Sequence, residues 1–185
     1  MTNLIEITEN KHNVIIDIRY ASSNNFTGAP VYKRAACYLN NEAEIALKKA
    51  IKIAADKNLK IKIFDAFRPL EIQKALWNHT PDPNFLSNPE TGSCPHCRGV
   101  AVDLTLLDKN GNELDMGTEF DTFSPLSHHG NNEVPPDAQK TRELLKKIMT
   151  EAGWDFYKNE WWHYQLFDCR KYPLFTDKDA GTGMV

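Results

Sequence analysis

The sequence predicts an α+β fold, with a central, largely antiparallel sheet flanked by helices. Three observations point there: a strictly alternating strand pattern at 60–65, two amphipathic helical patterns at 41–58 and 137–152, and no regular strand–helix–strand rhythm. At 185 residues, 41% hydrophobic and 25% charged, the chain reads as one domain spanning 1–185, large enough to bury a sizeable core.

Taken in order, residues 13–19 (NVIIDIR) open on a short apolar run and predict a strand, and NNFTGAP at 24–30 predicts a turn. From Asn41 to Asn58 the apolar residues Ala43, Ala46, Leu47, Ala50, Ile51, Ala54 and Ala55 fall at helical spacing, with Asn41 as the expected N-cap. KIKIFD at 60–65 is a strand. Pro69 follows in the first turn of a short helix reaching about Asn78, where its missing N–H is harmless. Residues 79–93 carry three prolines and Gly92 and form a long loop, of a length that usually serves function. VAVDLTLL at 100–107 is a strand that turns at DKNGN, the last helix runs from about Asp137 to Ala152, and Trp161–Phe167 returns as a strand.

The net charge is −3, from 22 basic and 25 acidic residues, which supplies no basic field for a nucleic-acid backbone. No apolar run approaches the roughly 20 residues of a membrane span, so no membrane partner is expected. The amino-terminal stretch lacks a basic patch followed by a greasy one, which predicts a cytoplasmic protein, or a periplasmic one if a leader has been removed. The four cysteines are too sparse for a disulfide scaffold, and Cys37 and Cys169 read as small buried residues.

Two clusters carry chemistry. In HCRGVAVD, His96 ends the long loop and Asp103 lies within an apolar strand, where an unpaired carboxylate is expensive unless a cation meets it. Gly99 lets the backbone turn between them. In EWWHY, Glu160 precedes His163 by three residues, so both can serve one site only across a bend or at a strand end. Two imidazoles and one carboxylate leave a fourth position on Zn²⁺ open for water, the catalytic pattern, with Glu160 as general base. Asp103 on the solvent face, His96 as an ordinary loop histidine and His163 as a core histidine are the competing readings. A third element, FDAFRP, places Arg68 before a proline in extended backbone, from which its fork can stabilise an oxyanion or join a surface salt bridge. His128 and His129 read as surface groups or as groups behind the ligands.

HCRGVAVDL, EWWHY and FDAFRP together resemble the D-alanyl-D-alanine dipeptidases of the VanX type, within the wider group of zinc D-Ala-D-Ala peptidases. DIRYASSNNFTG, MGTEFD at 116–121 and SHH at 127–129 extend the resemblance over most of the chain. It implies one Zn²⁺ per chain at the sheet, held by His96, Asp103 and His163, with Glu160 as base and Arg68 as transition-state stabiliser. It further implies Asp121 and Tyr20 near the ammonium end of a small dipeptide substrate, and hydrolysis of D-Ala-D-Ala in vancomycin resistance or cell-wall recycling. In the family a serine that helps hold the substrate carboxylate stands two residues before the first zinc histidine, and a second serine often follows it. Here Cys94 and Pro95 occupy those positions.

The competing functions are a D,D- or L,D-carboxypeptidase on cell-wall peptides, a non-catalytic zinc module, and a thiol–disulfide oxidoreductase. The last is suggested by Cys94-Pro95-His96-Cys97, but the β-rich run after it is not the helix such a motif opens. A regulatory Cys94–Cys97 disulfide and two reduced loop thiols are the alternatives that thiol titration separates, and a structural zinc site on these cysteines would leave Asp103 and His163 unexplained.

Overall fold

Packing along the chain starts with a small two-stranded unit. In this computed structural model, which describes residues 4–185, β1 (Leu4–Ile7) precedes a one-turn helix α1 (Glu9–His12) and a two-residue strand β2 (Ile15–Ile16). β3 (Cys37–Asn40) pairs antiparallel with β1 and runs directly into α2 (Asn41–Ala55). Then come β4 (Lys60–Asp65), α3 (Leu70–His79), β5 (Ala101–Leu107), α4 (Pro136–Glu151), β6 (Asp155–Phe156), β7 (His163–Gln165) and the short α5 (Asp177–Ala180).

The main sheet has five strands in the order β2-β4-β5-β7-β6, antiparallel except for the β2–β4 pair. β5 at its centre is buried along its whole length, and α2 and α4 supply Leu47, Ala50, Leu145, Ile148 and Met149 to the same core. The α+β expectation holds. Among the described residues no helix is long and apolar enough to cross a membrane.

Three local expectations need correction. The strand expected at 13–19 shrinks to Ile15–Ile16, because Asp17 pairs with Arg19 at 2.9 Å and the chain enters a 3-10 turn at Arg19–Ala21. The cap of α2 is Asn40 and not Asn41; its side chain accepts from the Glu42 N–H at 3.0 Å, and the helix ends at Ala55. Such a cap contributes about 1 kcal/mol. The strand expected at 161–167 is only His163–Gln165, since the Trp161 N–H is taken by the Ser127 carbonyl at 3.1 Å. The β1–β3 pair and α1 were not expected at all.

Two details of register place the site. A bulge in β4 between Ile63 and Asp65 sets Asp65 opposite Asp103 of β5, and Asp103 is in turn opposite His163 of β7. Three polar residues thus share one row across the sheet. Gly99, at φ +67°, closes the turn between His96 and β5; a Cβ there would lie 2.5 Å from Leu4 Cδ2 and 3.2 Å from the Asn40 nitrogen. The Gly99 carbonyl accepts from that same Asn40 N–H at 2.7 Å, tying the start of α2 to the loop.

Candidate active site

Asp103 and His163 of this row form the floor of a cavity of about 450 Å³, with Asp65 buried beside them. One wall is the 79–93 loop, which contributes Phe85, Leu86, Ser87 and Thr91, and the other carries Tyr20, Asp121 and Phe123. Phe85 stacks on Phe123 with ring centroids 4.8 Å apart, so the loop leans on the opposite wall. Arg68, Cys94, His96, Asp103, Glu160 and His163 all line this space. His128 and His129 do not; His129 packs against Phe156 and Tyr164 instead.

At the floor, His96 Nε2, His163 Nδ1 and Asp103 Oδ1 form a triangle with edges of 3.1, 3.1 and 3.3 Å. Each imidazole is held from behind. His96 Nδ1 meets the Ala66 carbonyl at 2.7 Å, and because a carbonyl only accepts, that nitrogen carries the proton and Nε2 turns a lone pair inward. His163 Nε2 likewise donates to Gln165 Oε1 at 3.0 Å, which leaves Nδ1 as an inward acceptor. Two lone pairs and a carboxylate oxygen pointed at one another repel, and a cation at their centre removes that repulsion. Ligand bonds of 2.0–2.1 Å at tetrahedral angles separate donor atoms by about 3.3 Å, so the triangle fits a metal ion. Among the described residues, His96, Asp103 and His163 form a group that could hold a metal ion.

One competing reading falls away on burial alone. Asp103 is 2% exposed, not on a solvent face. Glu160 and His163 are brought to one side by a turn: His163 starts β7, Glu160 lies just before it, and Glu160 Oε2 is 3.8 Å from His163 Nδ1. Burial, and then the charges of Asp103 and Asp121, push the Glu160 carboxyl well above the usual carboxylate range.

Arg68 is buried, so its surface-salt-bridge reading is also excluded. Its Nε and Nη2 both donate to Asp65 Oδ2 at 2.9 Å, Nη1 donates to Gln73 Oε1 at 2.9 Å, and Nη2 lies 3.7 Å from Asp103 Oδ2. The guanidinium sits 4.9 Å from the centre of the Tyr20 ring. The Tyr20 hydroxyl donates to Asp121 Oδ1 at 3.1 Å, while Asp121 Oδ2 is buried with no hydrogen-bond partner among the described residues. Burial, and next the Asp103 charge, push Asp121 up to about 8.

Cys94 and Cys97 are both free and buried. Cys94, at φ 45°, lines the cavity and donates through Sγ to the Asn88 carbonyl at 3.3 Å. The chain after it makes a 3-10 turn at His96–Arg98 and not the α-helix of an oxidoreductase motif.

Sequence reasoning missed Asp65, Gln73 and Gln165. Asp65 and Gln165 carried a signal, each standing at a strand position whose neighbours are apolar; Gln73 carried a fainter one, a polar residue on the apolar stripe of α3.

Residues 1–177 match the family described as D-ala-D-ala dipeptidase. The chain belongs to the D-ala-D-ala dipeptidase family, whose members are metal-dependent peptidases. It is 41% identical to the D-alanyl-D-alanine dipeptidase of Escherichia coli (strain K12), over 96% of this chain and 91% of that one. Proteins of the same name from Enterococcus faecium and Enterococcus faecalis (strain ATCC 700802 / V583) are each 31% identical, over 88% and 90% of this chain and 90% and 92% of theirs. This dipeptidase-family member therefore bears out the resemblance seen in HCRGVAVDL and EWWHY.

Proposed function

We propose that the protein is a zinc-dependent dipeptidase that hydrolyses D-Ala-D-Ala or a closely related small dipeptide. The observation that carries this reading is the inward-facing triangle of His96, Asp103 and His163 with Glu160 beside it, in the same cavity as an Asp121 oxygen that has no partner. The donor set, two borderline imidazole nitrogens and one hard carboxylate oxygen, suits Zn²⁺. Bound there, the ion would act as a Lewis acid toward the scissile carbonyl and the attacking water.

The side chains then divide the work. Glu160 takes a proton from the water as it attacks and returns it to the departing amine. Burial raises its proton affinity, which suits a group that must accept a proton before giving it back. Arg68, fixed by Asp65, offers positive charge to the oxygen that becomes anionic as the carbonyl is attacked. Asp121 and Tyr20 take the substrate ammonium; a cation there fills the Asp121 Oδ2 that has no hydrogen bond within the protein, and it lowers the proton affinity that burial has raised. Fixing the ammonium at one end of a small cavity favours a dipeptide over a longer cell-wall peptide, whose chain would have to continue through Asp121. Cys94 lies beside the region left for the substrate carboxylate, in the family's serine position, and its thiol is a weaker hydrogen-bond donor than that hydroxyl.

The test compares D-Ala-D-Ala, L-Ala-L-Ala and a muropeptide ending in D-Ala-D-Ala, each with and without a chelator. The reading requires chelator-sensitive cleavage of D-Ala-D-Ala above the other two. Preferred cleavage of the muropeptide would make the enzyme a carboxypeptidase, and no cleavage of any would leave a binding module.

A further inference from the structure

Gln73 stands on the buried face of α3 beside Ile72 and Leu76, and is itself 2% exposed. A buried amide must find partners for both its ends. Its Oε1 accepts from Arg68 Nη1 at 2.9 Å, and its Nε2 donates to the Ser87 carbonyl at 2.7 Å. One side chain therefore touches both the cavity arginine and the middle of the 79–93 loop.

Each contact answers a mechanical need. Arg68 Nε and Nη2 converge on a single oxygen, Asp65 Oδ2, which holds one edge of the fork and leaves the plane free to swing about that point. The bond from Nη1 to Gln73 is the further point that fixes the plane. On the loop side, the Asn84 carbonyl is held by Tyr157 and Asn159, and the Thr91 carbonyl by Arg170. Ser87 lies between these ties, and Gln73 holds it from inside the cavity.

We propose that Gln73 is a positioning residue that couples the seating of the 79–93 loop over the cavity to the orientation of Arg68. The proposal rests on the reading in which Arg68 stabilises the anionic oxygen.

The experiment follows the full-length, metal-loaded protein on D-Ala-D-Ala, with Arg68→Ala as reference. Gln73→Leu removes both bonds. Gln73→Glu keeps an acceptor for Arg68 but has no donor for the Ser87 carbonyl. We expect Gln73→Leu to lower kcat by about tenfold and to raise KM, an orientation effect of the size a small misplacement produces. We expect Gln73→Glu to recover most of that kcat while keeping the raised KM, and both variants to exchange amide hydrogens at 84–93 faster than wild type. Metal content should stay at the wild-type level in all of them. Gln73→Leu within twofold of wild type in both constants, while Arg68→Ala is strongly impaired, overturns the proposal. So does Gln73→Glu with unchanged KM and unchanged loop exchange, which also decides the matter if the Leu variant does not fold. Arg68→Ala with wild-type turnover sinks the Arg68 reading and the Arg68 half of the coupling with it; the exchange data then report on the loop alone.

Discussion

Asp65 stands directly opposite Asp103 across the β4–β5 ladder, and the two carboxylates share the Arg68 guanidinium at 2.9 and 3.7 Å. Burial raises the proton affinity of Asp65, and the nearby Arg68 charge opposes that rise. Arg68 thus has a structural duty besides any catalytic one. Removing it in Arg68→Ala leaves two buried carboxylates facing each other, and breaking a buried pair in this way costs about 3–5 kcal/mol. Urea unfolding should show that loss, and Asp65→Asn in the same background should recover part of it, because the uncompensated charge is gone. Full additivity of the two changes would mean that the pair is not coupled.

Metal removal acts on the neighbouring triangle. His96 Nε2, His163 Nδ1 and Asp103 Oδ1 turn electron pairs toward one point at 3.1–3.3 Å, so the folded state should bind an ion that the unfolded chain cannot hold. About one zinc per chain is expected by elemental analysis, with the thermal midpoint falling on chelation. His96→Ala and His163→Ala should each lose the metal; wild-type stoichiometry in both would remove these residues from the site.

On the proposed reading, Glu160 serves turnover and not metal binding. It is near the triangle, 3.8 Å from His163 Nδ1, but is not one of its corners. Glu160→Ala should therefore keep its metal and lose about 10²–10⁴-fold in kcat, the usual cost of a missing general base. A fall of less than about threefold would show that some other group moves the proton.

On the proposed reading, Asp121 limits the length of the substrate. Its Oδ2 is buried without a partner, and Tyr20 occupies Oδ1 at 3.1 Å. Asp121→Ala should sharply lower kcat/KM on D-Ala-D-Ala, and N-acetylation of the substrate should do the same to wild type. Equal cleavage of acetylated and free dipeptides by wild type would abolish the ammonium pocket.

What the sequence made legible follows from what each residue needs. An aspartate inside VAVDLTLL, or a histidine and glutamate among tryptophans, stands out because burial without a partner is costly; those residues did converge. The strands at 60–65 and 101–107 were legible from alternation and from a continuous apolar run. The cap of α2 slipped by one because Asn40 and Asn41 are equally good formers, and the tie from Asn40 to Gly99 is visible only in three dimensions. LIEI at 4–7 is too short to declare itself a strand until CYLN at 37–40 pairs with it. Gln73, Gln165 and Asp65 were missed for a related reason: their partners lie on other elements or depend on a one-residue bulge that no local pattern encodes.

His129 offers a test away from the cavity. Both of its ring nitrogens are buried without a hydrogen-bond partner, and its ring lies against Phe156 and Tyr164. Burial, and next the Lys146 charge, lower its proton affinity to about 4, with Arg142 acting in the same direction and Glu143 against it. In the unfolded chain the ring titrates near its ordinary 6.5, so between these values the unfolded state binds the extra proton. Stability is therefore present in full above about pH 6.5 and is lost as pH falls toward 4, by up to about 3 kcal/mol. Urea unfolding of wild type and His129→Phe, both with chelator, isolates this contribution from the carboxylates common to the two. The Phe variant should lose less stability than wild type over that window, and parallel pH curves would mean that His129 finds a proton acceptor in the folded protein.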